Sequence, residues 1–538
     1  MRYDELYPTI PAMVHHSAVA YGDKTYIIDG DVSWSFRDME QRMLEAGRAY
    51  IALGIRPGDR VALLGPNSAR WAQAALGIHA AGGIVIPLNT RFKAAELGYI
   101  LRKSGAAAVV TVGDFLGVDH VGMIKEGAAG TEAVTRIVVL DDAVIDGTTT
   151  FGDFLAAGAA VPESEILERA AAIGGGDISD IMFTSGTTGS PKGVPHSHQV
   201  TVRVYSWLMD DLCIDERDIH AIVPPFFHCF GYKNGMLGGL MKGVTIIPVA
   251  TFDALGLLEL IERERVSVLL GPPTIFVDLM NHPRRGEFDL STLRVAAASA
   301  ANVPFTVIEG IRDVLGFEAV YSAYGLTEAH AVVTVSRPGD PIEVVAATAG
   351  RPVDGVEVVI VDRDGAPLPP NEPGEILVDG YQVMTGYWDD PEETEKALTP
   401  DGRLRTGDIG FLDDGGNLTI TDRIKDMFIV GGFNAYPAEI ESALVKHPGI
   451  QHAAVVGVED DRLGEVGWAY VVPKEGAELT ESEVIDFARR SLANFKVPRR
   501  VLIVDDLPRN ATMKVLKFEL RERARATRER EALAAAHK

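Results

Sequence analysis

The 538-residue sequence contains only two cysteines, Cys213 and Cys229. So few cysteines provide neither a disulfide framework nor a zinc-binding spacing, and they fit the reducing cytoplasm, which is the predicted location. Long apolar stretches are missing as well: no run of about 18 apolar residues occurs, so no membrane span is predicted. The first residues lack a basic segment followed by an apolar one, which argues against a signal peptide.

Basic residues are scarce relative to acidic ones. The 51 Lys and Arg residues stand against 76 Asp and Glu residues, which gives a formal net charge of −25. A surface this acidic repels nucleic acid and anionic lipid, so neither is an expected partner, although a local positive site can still bind one nucleotide. The hydrophobic fraction of 46% is typical of a globular protein. The length predicts roughly two to four domains rather than a single core.

Helical and strand-like patterns alternate in residues 35–112 and again in residues 196–275. Such alternation predicts parallel sheets covered by helices. In the first part the helices are predicted at 36–53, 69–81 and 94–103, and the strands at 61–64, 84–87 and 107–112. From about residue 350 short strands with glycine turns predict a β-rich subdomain.

The predicted fold class is α/β. A large N-terminal domain, residues 1–422, combines layered α/β subdomains with the β-rich subdomain. A short connection at 423–428 leads to a small α+β C-terminal domain, residues 429–538. The tail from residue 521 is rich in Arg, Glu and Ala, which predicts a solvated terminal helix.

A loop dense in glycine, hydroxyl groups and one lysine follows the strand-like residues 181–183. Glycines let backbone N–H groups converge on an anion, hydroxyls donate further hydrogen bonds, and a lysine adds a point charge. Pro191 and Gly193 bracket the lysine, unlike in P-loop NTPases, so the loop predicts a triphosphate cradle of another kind. Its candidate ATP-binding residues are Thr184, Ser185, Gly186, Thr187, Thr188, Gly189 and Lys192.

This loop resembles the signature of the adenylate-forming superfamily, which includes acyl-CoA synthetases, luciferases and adenylation domains. Further motifs in the expected order extend the resemblance over nearly the whole chain. The resemblance implies an AMP-forming acyl-CoA synthetase. Such an enzyme uses ATP and Mg²⁺ to convert a carboxylic acid into an acyl-adenylate, and then transfers the acyl group to coenzyme A.

The second motif of this resemblance is Tyr-Gly-Leu-Thr-Glu at residues 324–328. An aromatic ring can stack on adenine, and the Thr327 hydroxyl can hold a phosphate. A single carboxylate, Glu328, is enough for Mg²⁺, which also takes substrate phosphates as ligands. The resemblance makes Thr327 and Glu328 catalytic, with Glu328 as the metal ligand. It places these residues at the nucleotide: Ser299, Ala300, Ala323, Tyr324, Gly325 and Thr327. The family often has glycine within the segment that corresponds to residues 299–301, Ser-Ala-Ala, and this chain has none there.

Two charged residues further along the chain are implied to hold the ribose. Asp408 follows Thr406 and Gly407 in a Thr-Gly-Asp sequence that, by composition alone, is an ordinary turn. The resemblance assigns the ribose hydroxyls to Asp408 and a supporting contact to Arg423.

The last motif covers residues 507–514, Leu-Pro-Arg-Asn-Ala-Thr-Met-Lys. The resemblance makes Lys514 the catalytic lysine that contacts the reacting carboxylate and the α-phosphate. Met513 stands where the family usually has glycine, and Lys517 is the alternative lysine.

Aromatic residues surround His228 in the sequence Pro-Phe-Phe-His-Cys-Phe-Gly, residues 225–231. In a strand Cys229 would face away from His228, so the two do not predict a thiol dyad. A hydrogen-bonded core histidine is the ordinary interpretation. The resemblance instead makes His228 catalytic and places it with Tyr232 beside the acyl group, and the apolar residues 232–240 would line that channel.

The connection between the two predicted domains resembles the family's hinge, with Lys425 as the pivot. The following loop, with Gly431, Gly432 and Phe433, resembles the one that meets the thiol substrate. The resemblance implies a mobile C-terminal domain. Rotation about Lys425 would withdraw Lys514 after adenylation and bring in this loop.

The acyl substrate is not determined by the sequence. The chain resembles bacterial fatty-acid-type ligases and, more distantly, the branch that activates the propanoate side chain on a steroid ring fragment. Medium-chain, alicyclic and aromatic acids stay open, because no single residue encodes chain length. Two alternatives are an adenylating enzyme that loads a carrier protein and a nucleotide-binding sensor without catalysis. The presence of five candidate site residues disfavours the sensor: Lys192, Glu328, Asp408, Arg423 and Lys514. The oligomeric state, including a homo-oligomer, is left open.

Overall fold

The computed structural model describes residues 2–131, 135–184, 191–299, 303, 305–423, 426–430, 433–460, 462–509 and 515–536. The chain forms two compact units. The first contains Met1–Ala346, Gly350–Glu357 and Val378–Leu404, and the second contains Ala347–Ala349, Val358–Leu377 and Arg405–Lys538. The domain boundary expected at 423–428 stays a prediction.

The helices of the described residues have the following bounds: α1 Tyr3–Leu6, α2 Ile10–Tyr21, α3 Phe36–Ala52, α4 Ala69–Ala80, α5 Ala94–Ser104, α6 His120–Gly127, α7 Phe151–Gly158, α8 Glu163–Ala172, α9 His198–Asp211, α10 Gly238–Lys242, α11 Ala254–Glu264, α12 Pro273–Asn281, α13 Phe305–Asp313, α14 Ile342–Ala347, α15 Pro391–Ala397, α16 Pro437–Leu444, α17 Glu481–Ser491 and α18 Lys517–Ala536. A π-helix covers Phe230–Leu237, and 3₁₀ turns cover Arg285–Glu287 and Thr327–Ala329. Within this described part, no helix is both long enough and apolar enough to span a bilayer.

The strands have the following bounds: β1 Thr25–Asp29, β2 Val32–Ser35, β3 Arg60–Leu64, β4 Ile84–Leu88, β5 Ala108–Thr111, β6 Asp114–Phe115, β7 Val118–Asp119, β8 Ile137–Val139, β9 Thr149–Thr150, β10 Ile178–Thr184, β11 Lys192–Ser197, β12 Ile219–Ile222, β13 Thr245–Pro248, β14 Val268–Gly271, β15 Val295–Ser299, β16 Ala319–Tyr324, β17 Thr334–Val335, β18 Arg351–Pro352, β19 Val356–Val361, β20 Gly374–Gly380, β21 Leu404–Leu412, β22 Leu418–Arg423, β23 Phe428–Val430, β24 Phe433–Ala435, β25 Ile450–Asp460, β26 Gly464–Pro473 and β27 Arg500–Ile503.

Two large sheets with helices packed on them organise the first unit. One has the order β18-β17-β16-β15-β14-β12-β13-β1-β2, and the other has the order β11-β10-β4-β3-β5-β8-β9. The neighbouring strands from β16 to β1 are parallel, as are those from β10 to β9. Strands β3 and β4 are nearly continuous apolar runs that are buried along almost their whole length, as expected of parallel strands covered on both faces. The predicted parallel α/β layers are confirmed.

Local signals fix the ends of several helices. Ser35 accepts a hydrogen bond from the backbone of Asp38, whose carboxylate bonds back to the Ser35 backbone, so α3 begins with a capping box. Ser68 caps α4 in the same position. The apolar faces of α3 and α4 pack into one core between the helices and the sheets.

Two smaller sheets account for most strands of the second unit. The order β19-β20-β21-β22 forms a four-stranded sheet, and the order β24-β23-β26-β25, with β27 paired to β26, forms a five-stranded one. On one face of the five-stranded sheet, Ile440 of α16 and Val484 of α17 pack on the apolar residues of β25 and β26. On the other face, Leu520 and Ala524 of α18 pack against Trp468. The expected β-rich subdomain and α+β unit are therefore both present.

Buried histidines make the first unit sensitive to acid. Burial lowers the pKa of His198 and of His220 to about 4. Burial also lowers the pKa of His79 and of His330 well below the ordinary value. The unfolded chain takes up protons near pH 6.5, but the folded protein resists them until about pH 4.

We therefore expect the melting temperature to fall steadily as the pH decreases from about 6.5 to about 4, because only the unfolded state gains these protons. Calorimetry across pH 4–8 would measure this dependence. The His220→Leu variant should show a shallower slope than the parent protein. A melting temperature that is constant between pH 6.5 and pH 4.5 would contradict the assignment of neutral buried rings.

Candidate active site

The predicted phosphate loop joins two antiparallel strands. Strand β10 ends at Thr184 and β11 begins at Lys192, and these two residues lie opposite each other in the register. The hairpin therefore brings both ends of the loop together. Five of the predicted loop residues lie outside the described part of the chain: Ser185, Gly186, Thr187, Thr188 and Gly189.

Lys192 contacts a second element that sequence reasoning missed. Its ammonium forms an ion pair with Glu393 of α15 and lies 5.0 Å from the ring centre of Tyr387. Hydrogen bonds from Lys192 and then from Lys396 lower the pKa of the Glu393 carboxyl to about 2. Triphosphate oxygens would compete with Glu393 for the same ammonium. Asp390 and Pro391 predict the start of α15, but no local signal indicates its partner.

The second motif lies at the carboxyl ends of neighbouring parallel strands. Ser299 ends β15 and lies opposite Ala323 on β16, and Tyr324 is the last residue of β16. Ligands of open α/β sheets bind at this edge. Gly325 is required there, because a Cβ atom at this position would overlap the backbone of Ala331. Ala300 lies outside the described residues.

The 3₁₀ turn Thr327–Ala329 presents Glu328. The backbone N–H of Met384 donates to the Glu328 carbonyl at 2.8 Å, and the hydroxyl of Tyr387 donates to its Oε1 at 2.8 Å. Burial, followed by the charge of Glu328, raises the pKa of the Tyr387 hydroxyl, so this hydroxyl stays a donor at neutral pH. Both the backbone and the carboxylate of Glu328 are therefore held.

The residues around Glu328 fit a magnesium ion shared with substrate. Among the described residues, no group of three or more His, Cys, Asp or Glu side chains could hold a metal. Mg²⁺ commonly uses one or two carboxylates together with phosphate oxygens. A single oriented carboxylate suits this mode of binding, and Tyr387, which holds it, also contacts Lys192.

His228 lies directly before the π-helix Phe230–Leu237. Burial lowers the pKa of His228 to about 4, so its ring is neutral at pH 7. The ring Nδ1 accepts a hydrogen bond from the backbone N–H of Phe230 at 3.2 Å, which leaves the proton on Nε2. A neutral ring can donate one hydrogen bond from Nε2. The predicted catalytic role of His228 stays a prediction.

Tyr232 is fully buried within the π-helix. Its hydroxyl pairs with His79 Nε2, and its ring packs edge-on against Trp71. These contacts explain the burial of the Tyr232 side chain, and no ligand is needed to explain it. The predicted acyl contact of Tyr232 stays a prediction, and it would need this packing to change.

The predicted ribose residues lie opposite each other in the second unit. Asp408 of β21 pairs with Arg423 of β22 in the antiparallel register, and Asp408 is 4% exposed. The hydroxyl of Thr406 accepts from the Asp408 N–H at 3.1 Å and donates to the Ile376 carbonyl at 2.7 Å. Gly407 lies between them within β21, and its φ of 70° is one that glycine adopts readily. The strand register therefore places Asp408 and Arg423 opposite each other, although they are far apart in the sequence.

The remaining predicted residues fall largely outside the described part. Lys425, Gly431, Gly432 and Lys514 are not described. Phe433 begins β24, and its backbone pairs with Val430. The roles predicted for these residues rest on the sequence.

Comparison with known proteins identifies the family. The AMP-binding enzyme family matches residues 14–388, and the AMP-binding enzyme C-terminal domain matches residues 439–514. The chain belongs to the AMP-binding enzyme family. The predicted adenylate-forming class is confirmed.

Two bacterial relatives match over almost their full length. The protein of Rhodococcus jostii (strain RHA1) is 44% identical over 96% of this chain and 98% of its own. That of Mycobacterium tuberculosis (strain ATCC 25618 / H37Rv) is 45% identical over the same shares. Both are named 3-[(3aS,4S,7aS)-7a-methyl-1,5-dioxo-octahydro-1H-inden-4-yl]propanoyl:CoA ligase. The resemblance to the ring-fragment propanoate branch is confirmed, and this AMP-binding enzyme is an acid–thiol ligase that uses ATP and coenzyme A.

A solved structure confirms the fold class. The crystal structure of an anthranilate CoA ligase in complex with anthranoyl-AMP has a TM-score of 0.89 and 27% identity to this chain. The match covers 98% of this chain and all of that protein. The ligand of that protein is an acyl-adenylate, the type of intermediate expected for this family.

Proposed function

We propose that this AMP-binding enzyme activates the propanoate side chain of a fused alicyclic acid and transfers the acyl group to coenzyme A. The full-length match at 44–45% identity to two ligases named for such an acid supports this choice. One methylene group changes binding by only about 1–3 kcal/mol, so related ring systems would be accepted to different degrees. A cytoplasmic location stays a prediction from the cysteine content.

In the first half-reaction, a carboxylate oxygen of the acid attacks the α-phosphorus of ATP, and pyrophosphate leaves. Lys192 and the loop after Thr184 would hold the triphosphate, and the Glu328 carboxylate would hold Mg²⁺. The metal, when bound, neutralises charge on the phosphates. Asp408 and Arg423 would hold the ribose, and Lys514 would stabilise the negative charge that accumulates at the reacting carboxylate and α-phosphate.

In the second half-reaction, a thiolate attacks the carbonyl carbon of the acyl-adenylate and AMP leaves. The loop with Gly431, Gly432 and Phe433 would line the path of the thiol. The adenylate hydrolyses readily, so water must be kept away until the thiol arrives.

The decisive experiment measures pyrophosphate release with ATP, Mg²⁺ and a panel of acids, with and without coenzyme A. The panel contains bicyclic propanoates, saturated fatty acids from butyrate to palmitate, and benzoates. Many turnovers with a bicyclic propanoate, and only when coenzyme A is present, would support the proposal. Preference for a fatty acid or a benzoate would overturn the substrate class. A single turnover unaffected by coenzyme A would point to a carrier protein as the acceptor.

The Tyr387→Phe substitution tests the metal role of Glu328. It removes the hydroxyl that donates to Glu328 Oε1 at 2.8 Å. Loss of a hydrogen bond to a metal ligand typically lowers metal affinity by roughly 10–100-fold. We expect the Mg²⁺ concentration for half-maximal pyrophosphate release to rise about tenfold, as measured by a magnesium titration at saturating ATP.

A matched control is Tyr50→Phe. Tyr50 is fully buried, and its hydroxyl has no hydrogen-bond partner within the described ranges. This variant should keep the magnesium dependence of the parent protein. An unchanged magnesium dependence in Tyr387→Phe would argue against Glu328 as the ligand.

A further inference from the structure

Three charged or polar side chains that sequence reasoning missed form a buried cluster behind the 3₁₀ turn. Asp180 on β10 and His196 on β11 lie opposite each other in the register, and Lys233 comes from the π-helix. The side chains of all three are 0% exposed. Lys233 Nζ lies 2.9 Å from Asp180 Oδ1 and 2.7 Å from His196 Nδ1. The cluster lies wholly within the first unit.

The protonation of the cluster follows from these distances. Burial, followed by the charge of Lys233, lowers the pKa of His196, so its ring is neutral. His196 Nδ1 lies 2.7 Å from the Lys233 ammonium, which can only donate, and 3.1 Å from Asp180 Oδ1. The neutral ring carries one proton, and the Thr327 carbonyl beside Nε2 can only accept, so the ring proton is on Nε2 and Nδ1 accepts from Lys233. That Nε2–H donates to the backbone carbonyl of Thr327 at 2.8 Å. Lys233 also donates to the hydroxyl of Thr201 at 3.2 Å.

The Thr327 carbonyl belongs to the peptide bond between Thr327 and Glu328. Holding the plane of this peptide therefore restricts the backbone torsions on either side of it, ψ of Thr327 and φ of Glu328, and with them the directions of both side chains. The far end of the turn is also held. The ring centres of His330 and His196 lie 4.0 Å apart with a tilt of 35° between the rings, and His330 Nδ1 donates to the Gln382 carbonyl at 2.8 Å.

Stability alone gives a poor account of this cluster. Burying an ammonium and a carboxylate costs desolvation energy, and well-packed apolar side chains of similar volume often serve the stability of a core equally well. A charged lysine does, however, what an apolar residue cannot: it fixes which nitrogen of His196 carries the proton. With its proton on Nε2, His196 donates to the Thr327 carbonyl and holds the Thr327–Glu328 peptide in place.

We propose that Lys233, Asp180 and His196 form a positioning relay that orients Thr327 and Glu328 for adenylate formation. The relay rests on the proposed function, because it acts through the residues assigned there to phosphate and Mg²⁺. None of the three side chains touches substrate; His196 acts through a backbone carbonyl. The relay should therefore affect the adenylation half-reaction more than the thioester half-reaction.

The test compares two substitutions of His196. In His196→Gln the side-chain amide keeps an N–H donor that reaches the position of Nε2, whereas His196→Leu has none. Both half-reactions are measured separately: pyrophosphate release with ATP and acid, and thioester formation from supplied acyl-adenylate and coenzyme A. We expect His196→Leu to lower kcat/KM for MgATP in adenylation by roughly 10–100-fold, with thioester formation much less affected. His196→Gln should restore most of the loss.

His220→Leu is the matched control. His220 is a fully buried histidine of the same unit, and neither ring nitrogen has a hydrogen-bond partner in the part of the chain that the structure describes. This variant should keep both half-reactions. If His196→Leu does not fold, the pair Asp180→Asn with Lys233→Met replaces it, because this pair removes both charges and keeps His196. It should show the same selective loss of adenylation.

The outcomes separate the relay from the proposed function. Equal losses in both half-reactions of His196→Leu, or no loss in either, would overturn the relay while the parent protein still formed thioester. Absence of pyrophosphate release by the parent protein with every acid would instead overturn the proposed function.

Discussion

Replacing Lys514 by alanine is expected to lower adenylate formation by about 10²–10³-fold, the usual loss when one preorganised charge or donor is removed from a transition state. The physical reason is that a carboxylate must approach an anionic phosphate, and an ammonium group offsets the repulsion between them. In thioester formation from supplied acyl-adenylate, no carboxylate approaches a phosphate. The rate of this half-reaction should therefore be nearly unchanged. Separate measurement of the two half-reactions tests this prediction.

Lys517→Ala is the control for this experiment, because Lys517 is the other candidate lysine of the same segment. The Lys517 Nζ lies 2.8 Å from Glu441 Oε1. This ion pair gives the ammonium group a structural partner, so a catalytic role is not expected for it. Both half-reactions should therefore survive its replacement. A loss of adenylation in Lys517→Ala but not in Lys514→Ala would exchange the roles of the two lysines. Equal loss of both half-reactions in Lys514→Ala would show that its assigned role is wrong.

Replacing Asp180 by asparagine is expected to lower the free energy of unfolding by about 3–5 kcal/mol, because it leaves the buried Lys233 ammonium without its counter-charge. Burial alone would raise the pKa of Asp180, but the charge of Lys233 outweighs burial and holds that pKa far below its ordinary value. Because the folded pKa is depressed, this stabilisation is present above about pH 4 and is lost as the pH falls further.

Urea denaturation followed by tryptophan fluorescence measures this change. Four of the five tryptophans lie in the first unit with Asp180: Trp34, Trp71, Trp207 and Trp388. Adding Lys233→Met to Asp180→Asn should recover most of the loss, because the double variant buries no charge. If the double variant is as unstable as the single one, the cost arises from packing and not from an unpaired charge.

An exposed ion pair serves as the control. Lys242 Nζ lies 2.6 Å from Asp210 Oδ1, and the Asp210 side chain is 69% exposed. Water screens such a pair, so Asp210→Asn should change the free energy of unfolding by less than about 1 kcal/mol. The contrast between the two aspartates measures the effect of burial at similar ion-pair distances.

The regular elements of the first unit were predicted closely. The helix expected at 36–53 is observed at Phe36–Ala52, and the one expected at 69–81 is observed at Ala69–Ala80. The strand expected at 84–87 is Ile84–Leu88. These elements are encoded by apolar periodicity and by caps within the element, so neighbouring residues alone carry the signal.

The segment after His228 was predicted less completely. Its apolar, glycine-rich composition predicts the wall of an acyl channel, and this stays a prediction. The structure shows that the segment forms a π-helix, Phe230–Leu237, that continues into α10. Lys233 is fully buried in this helix, although a lone lysine in a sequence is ordinarily expected at the surface. Its burial could not be predicted because its partner Asp180 lies far away in sequence.

The sequence by itself determined the chemical class of this AMP-binding enzyme. The predicted phosphate loop, residues 184–193, combines glycines, hydroxyls and a lysine in consecutive positions, so its resemblance to the family signature is visible in the sequence alone. The tertiary structure alone decided which side chains contact the candidate site residues. It brings Glu393 to Lys192, Tyr387 to Glu328, and Lys233 with Asp180 to His196. These pairs depend on strand register and on how helices pack over the sheets, and a local pattern does not contain the distance between residues that only the folded chain brings together.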